Sequence, residues 1–239
     1  MTAAAKPAAQ APPVEARDQV RIYVWDVPMR LTHWTIAISI LVLSISGYYL
    51  GHPYVVVPGE AREHFVTGTV KVIHFVTAIA FTLAVCSRIL WMFVSSNPYS
   101  SWRQFLPSTA ARWREMWGTL KFYLLIDRDG PEEIGHNPLA GGTYSIVFGM
   151  YLAMIATGLG LYGASAHVGS WMHVFGGILP WVGGAQIARW LHHILMWLLI
   201  GFFVHHFYSA LLVTIVKKNG TLDSIFSGYK WFHRRRSER

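Results

Sequence analysis

The chain has 239 residues, of which 53% are hydrophobic and only 13% charged. Soluble globular domains carry about 25% charged residues, so this composition excludes an ordinary soluble domain. The single cysteine, Cys86, excludes internal disulfides, a Cys-x-x-Cys-His haem attachment and thiolate zinc sites, and the net charge of +8 needs its own explanation.

Residues 1–20 are rich in Ala and Pro and lack an apolar core of signal-peptide length, so they read as a disordered tail. Four apolar blocks follow, each long enough to cross about 30 Å of hydrocarbon as a helix. They run roughly from Leu31 to Leu50, Gly68 to Val94, Thr143 to Gly163 and Gln186 to Val216. Asp26 followed by Pro28 opens the first, and Asn97-Pro98 lies beyond the second. Trp and Tyr gather near several ends, as an interfacial belt requires. The expected fold is all-α, an integral membrane four-helix bundle. The bundle domain spans 21–216, and a basic tail spans 217–239.

Sixteen of the 20 basic residues fall in the N-terminal segment, the connection between the second and third blocks, and the C-terminal tail. The two remaining loops, 51–67 and 164–185, hold only Arg62. By the positive-inside rule both termini and the long middle connection are cytoplasmic. The net charge is then topology and contact with anionic membrane lipid, and no nucleic-acid partner is expected from Arg234, Arg235 and Arg236.

Histidines inside the apolar blocks carry the chemistry. An ionisable side chain at membrane depth is costly, and neutral imidazole is a good ligand for iron. The fourth block contains His192-His193 and His205-His206. At about 100° per residue, only a separation of fourteen returns near the starting direction, so only His192 and His206 share a face, about 21 Å apart along the axis. His74 matches the depth of His192 at the outer face. His33 matches His206 more loosely near the cytoplasmic face. Two haem b groups are expected, an outer one between His74 and His192 and an inner one between His33 and His206. Taken singly, a histidine within a membrane helix more often hydrogen-bonds to a neighbouring helix than binds metal. It is the shared face and matched depths of the four that point to ligation. His193 and His205 point to other sectors and fit polar packing roles. Small residues, among them Ser44, Ser46, Gly47, Gly149 and Gly158, suit either a flat cofactor or close helix packing.

The motifs Arg30-Leu-Thr-His-Trp34, Lys71-Val-Ile-His-Phe75, Ile134-Gly-His-Asn-Pro-Leu139, and His192 with Met196-Trp197 and His206-Phe-Tyr208 extend the pattern. Over about Val20 to Tyr229 the chain resembles the b-type cytochrome subunit of membrane-bound nickel-iron hydrogenases. That dihaem scaffold is shared with the cytochrome subunits of formate dehydrogenases. The resemblance implies His33, His74, His192 and His206 as haem ligands. It further implies electron transfer from the iron–sulfur small subunit of the hydrogenase to the quinone pool, with hydrogen split on the large subunit. His136 and Asn137 are expected at the quinone site, although Asn137-Pro138 equally makes a turn before a helix. The outer loop with Glu60, Arg62, Glu63 and His64 is a candidate docking surface for the small subunit. The alternatives are a formate dehydrogenase-like or free-standing quinone-linked cytochrome, and a haem-free anchor or transporter whose histidines relay protons.

Overall fold

A computed structural model describes residues 19–55, 65–102, 105, 109–127 and 138–233. In chain order these form β1 (Gln19–Tyr23), α1 (Val27–Gly51), α2 (Val66–Val94), α3 (Ala110–Tyr123), α4 (Pro138–Ser165), a 3-10 stretch (Trp171–Val182), α5 (Ala185–Lys217), α6 (Thr221–Ser227) and β2 (Tyr229–His233). Four of the helices, α1, α2, α4 and α5, are long and apolar enough to cross a membrane. They match the four expected blocks with ends extended by a few residues. Much of their apolar surface faces outward, for example Leu31, Leu41, Ile45, Val72, Leu83, Leu90 and Val204. Water penalises such a surface and lipid does not.

Local chemistry sets the helix starts. Asp26 caps α1 by accepting the Met29 amide at 3.1 Å, and Pro28 sits in the first turn, where a missing N–H costs nothing. Pro138 similarly stands at the start of α4.

The bundle is built as two close pairs. α1 packs along α2 and α4 along α5, whereas the two pairs approach one another at few backbone positions. What closes the middle is an apolar cluster of Ile36, Phe81, Ala84, Val85, Val147, Tyr151 and Leu199, with Ile40 packed against it. Above and below that plug the pairs remain apart and histidines face the slot.

Two features have no counterpart in the apolar blocks. β1 and β2 form an antiparallel pair with Gln19 opposite His233 and Tyr23 opposite Tyr229. Arg21 stacks over the Tyr229 ring at 3.9 Å, an additional cation–π tie across the pair. The C-terminal stretch therefore carries a short helix and a strand as far as His233, and it returns to the start of the chain. The 3-10 stretch Trp171–Val182 lies against α4. Residues 1–18 and 234–239 lie outside the described residues, as do His64 and its neighbours in the outer loop.

Candidate functional site

The slot between the helix pairs holds two layers of histidine. His33 on α1 and His206 on α5 have ring centres 6.2 Å apart, and His74 on α2 and His192 on α5 have ring centres 6.5 Å apart. These are the two pairings expected from depth and helical phase. The crossed combinations are not brought together.

One spacing organises every helix of the bundle. On each helix, two residues fourteen apart face the two layers, and the residue midway between them joins the apolar plug. The sets are His33, Ile40 and Gly47 on α1, and His74, Phe81 and Arg88 on α2. On α4 they are Tyr144, Tyr151 and Gly158, and on α5 His192, Leu199 and His206. Two heptads nearly restore the helical phase, so positions fourteen apart on one helix face the same slot at two depths, with the plug residue between them.

In the outer layer both imidazoles rest on hydroxyl–glycine pairs. Ser46 Oγ lies 2.9 Å from His74 Nδ1, and Thr157 Oγ1 lies 2.9 Å from His192 Nδ1. Each hydroxyl already donates its proton to the carbonyl one turn back, Ser46 to Val42 at 2.7 Å and Thr157 to Ala153 at 2.7 Å. A hydroxyl has one proton to give, so each oxygen accepts from the imidazole. Nδ1 of His74 and of His192 therefore carries the hydrogen, and Nε2 of each is the free lone pair. The following residues are Gly47 and Gly158. A Cβ on either would stand 3.3 Å from the Cε1 atom of His74 or His192, so glycine lets the rings lie against the neighbouring helix.

The inner layer is built differently. Tyr144 Oη is 3.2 Å from His206 Nδ1, while His33 Nδ1 is buried with no hydrogen-bond partner among the described residues. Phe202 stacks on His206 with ring centres 5.5 Å apart, and Trp34 packs edge-on against His33 at 5.5 Å. Arg88, 4% exposed, reaches the same layer and is held by the Ser100 carbonyl at 3.4 Å, with Asp26 as its nearby counter-charge.

A cavity of about 600 Å³ surrounds His33 and His206. Ile36, Ile40, Tyr151 and Leu199 floor it, and its other end reaches Lys217, Asn219, Thr221 and Lys230 beside the β pair. It is thus apolar at membrane depth and cationic at its mouth. Lys230 is only 6% exposed, 5.2 Å from the Trp25 ring. Burial, and then the charge of Lys217, push its pKa down to about 8.

These residues fit a haem. Nitrogen binds a first-row metal at about 2 Å and sits roughly 1.1 Å from its ring centre, so two imidazoles on opposite sides of one iron have centres about 6 Å apart. Both observed pairs have that spacing. No group of three or more metal-ligating side chains occurs among the described residues. The slot supplies flat apolar walls, and the inner mouth supplies cations for carboxylates.

Comparison with known proteins agrees. Residues 24–228 match the model of the family described as prokaryotic cytochrome b561. The chain belongs to that family. It is 34% identical over 213 residues to a protein of Cupriavidus necator named probable Ni/Fe-hydrogenase B-type cytochrome subunit, covering 88% of this chain and 87% of the relative. A protein of the same name from Bradyrhizobium diazoefficiens is 34% identical over 215 residues, covering 88% and 86%. The probable Ni/Fe-hydrogenase 1 B-type cytochrome subunit of Escherichia coli is 32% identical over 213 residues, covering 87% and 90%. As a member of this b-type cytochrome family the chain is a multi-pass protein of the bacterial inner membrane that transfers electrons through haem b.

The sequence-predicted residues divide cleanly. The structure brings His33, His74, His192 and His206 into the slot. His193 turns away and pairs its Nδ1 with the Arg189 carbonyl of its own helix at 2.9 Å, and His205 is exposed beside Tyr123. His136 and Asn137 lie outside the described residues. Thr157, Tyr144, Arg88 and Lys230 were not singled out from sequence. The recurrence of fourteen-residue spacings was the available signal for Tyr144 and Arg88, while Thr157 lies one position off that spacing.

Proposed function

We propose that the chain carries two b haems, one between His74 and His192 and one between His33 and His206. In this reading it passes electrons from the iron–sulfur small subunit of a nickel-iron hydrogenase to quinone, and it anchors that complex in the membrane. The large subunit activates hydrogen, and the chain has no hydrogen chemistry of its own. The observation that carries the proposal is the recurrence of one imidazole–imidazole spacing at two depths of the same slot.

Haem b bound in these sites supplies a one-electron iron couple. The imidazoles of His33, His74, His192 and His206 would hold the irons, two to each. The apolar plug excludes water from between the layers. Lys217 and Lys230 receive carboxylates at the inner mouth. Both termini and the 95–137 connection face the cytoplasm, as the basic residues require. Electrons then enter on the outer side, and moving each inward across the membrane field is worth about 2.3 kcal/mol per 100 mV.

Quinone reduction belongs at the inner layer. Leu139 and Ala140, immediately after Asn137-Pro138, line the inner cavity. That sequence position supports His136 and Asn137 as residues of the quinone site. The names of the relatives support the hydrogenase partners over a free-standing cytochrome.

Haem counting on the complex purified in mild detergent tests this reading. Two low-spin b haems per chain, reducible by hydrogen and reoxidised by quinone, are expected. One haem per chain, or none, would overturn it.

A further inference from the structure

The two histidine layers differ in the groups behind the rings, and the difference has a direction. Both outer imidazoles donate Nδ1–H to an alcohol oxygen at 2.9 Å whose own proton is committed elsewhere. An oxygen held in that way is a fixed acceptor. Hydrogen bonding at the far nitrogen of a ligating imidazole fixes its tautomer and makes the ligating nitrogen more basic. A more basic ligand stabilises ferric over ferrous iron.

The inner layer lacks this arrangement. His33 Nδ1 has no partner among the described residues, and His206 Nδ1 meets a phenol at the longer distance of 3.2 Å. The buried cation Arg88 also stands on the inner layer, but Asp26 is its counter-charge, so the difference between the layers is carried by the hydrogen bonds behind the rings.

We propose that Ser46 and Thr157 are positioning residues that hold the outer haem at a lower midpoint potential than the inner haem. The chain's own side chains thereby set the direction of electron flow. One electron passes inward, oxidising Fe(II) at the outer site to Fe(III) while Fe(III) at the inner site becomes Fe(II). No bond and no proton changes place in this step. Electrons reach the outer site from the iron–sulfur clusters of the partner complex. The proposal rests on the dihaem reading above and adds an ordering that ligation alone does not give.

Redox titration of the complete hydrogenase complex, followed by haem absorbance and electron paramagnetic resonance, tests it. His206→Ala identifies the inner step as the one that disappears. If both steps survive His206→Ala, the dihaem assignment itself fails, and that result is separate from the outcomes below. The remaining, outer step is expected to have the lower midpoint in the wild-type complex. Ser46→Ala combined with the isosteric Thr157→Val should raise it, by about 59 mV for each tenfold loss of preference for ferric iron, and leave the inner midpoint unmoved. Thr157→Ser, which keeps the hydroxyl, should titrate as wild type and controls for packing. An outer haem with the higher midpoint, or an outer midpoint that does not rise in the double variant, would overturn the proposal.

Discussion

Asp26 accepts a hydrogen bond from the indole Nε1 of Trp91 at 3.0 Å, tying the first residue before α1 to the last turn of α2. The same carboxylate accepts from Ser100 at 2.9 Å and Ser95 at 3.2 Å while capping α1 through Met29. One charged residue thus closes the inner end of the α1–α2 pair, beside Arg88 and the His33 layer. The cap is worth about 1 kcal/mol and a hydrogen bond to a charged group about 1.5–3 kcal/mol. Asp26→Ala should therefore destabilise the protein by about 2–4 kcal/mol, read from denaturation in detergent by loss of the haem spectrum. Asp26→Asn, which keeps part of the cap, should lose less.

The same residue gives a pH dependence. Burial raises the Asp26 pKa, but hydrogen bonds from Trp91, Ser100, Met29 and Ser95 outweigh it and hold the carboxyl below its ordinary value of 3.8. A depressed carboxylate pKa contributes stability that is complete above the unfolded value and lost as pH falls through the folded one. Wild type should lose stability relative to Asp26→Asn only as pH falls below about 4. Parallel pH–stability curves for the two proteins across that range would refute the assignment.

The glycines beside the outer rings give a prediction in steric terms. A Cβ at Gly47 or Gly158 would stand 3.3 Å from an imidazole carbon, so the ring must yield by a few tenths of an ångström. Alanine is expected to be tolerated with a displaced outer haem, and valine to expel it. Disturbing what orients a metal ligand commonly costs 10–100-fold in affinity. Gly158→Val should consequently purify with the inner haem alone, measured as half the wild-type haem content. Full haem occupancy in Gly158→Val would show that the ring does not lie against this helix.

Much of this arrangement was legible in the sequence, and the boundary of legibility is physical. Helical phase selects His192 and His206 over His193 and His205, because a fourteen-residue separation nearly closes whole turns. Depth selects their partners, because a membrane orders residues along one axis. Neither argument reaches Thr157. Serine and threonine in a membrane helix commonly bond to the carbonyl one turn back, as Thr157 does to Ala153. Only the neighbouring helix shows that the same oxygen also serves an imidazole. The β pair escaped for a different reason: five-residue strands with Arg21 and Lys230 in them look like the flanks of a basic, solvated tail. Their stability comes from aromatic rings more than 200 residues away in sequence, such as Tyr229 under Arg21.

Lys230 supplies the last prediction, and its two effects have opposite signs. Burial and the charge of Lys217 lower its pKa to about 8, so the folded apoprotein disfavours the ammonium form. That penalty is complete below pH 8 and is relieved as pH rises from there toward the unfolded value of 10.5. Over that interval the unfolded chain binds more protons, so stability rises with pH. Without haem, Lys230→Met should therefore stabilise the chain at pH 7, by up to about 3 kcal/mol, and flatten the rise in stability between pH 8 and 10. With haem, the ammonium compensates a carboxylate at the inner mouth, and its loss should weaken the inner haem while sparing the outer. Thermal unfolding of both forms at pH 7 and 9, with haem retention measured after dilution, reads the two effects separately. If Lys230→Met destabilised the apoprotein, or released both haems equally, the cationic mouth would have no specific role in holding the inner group.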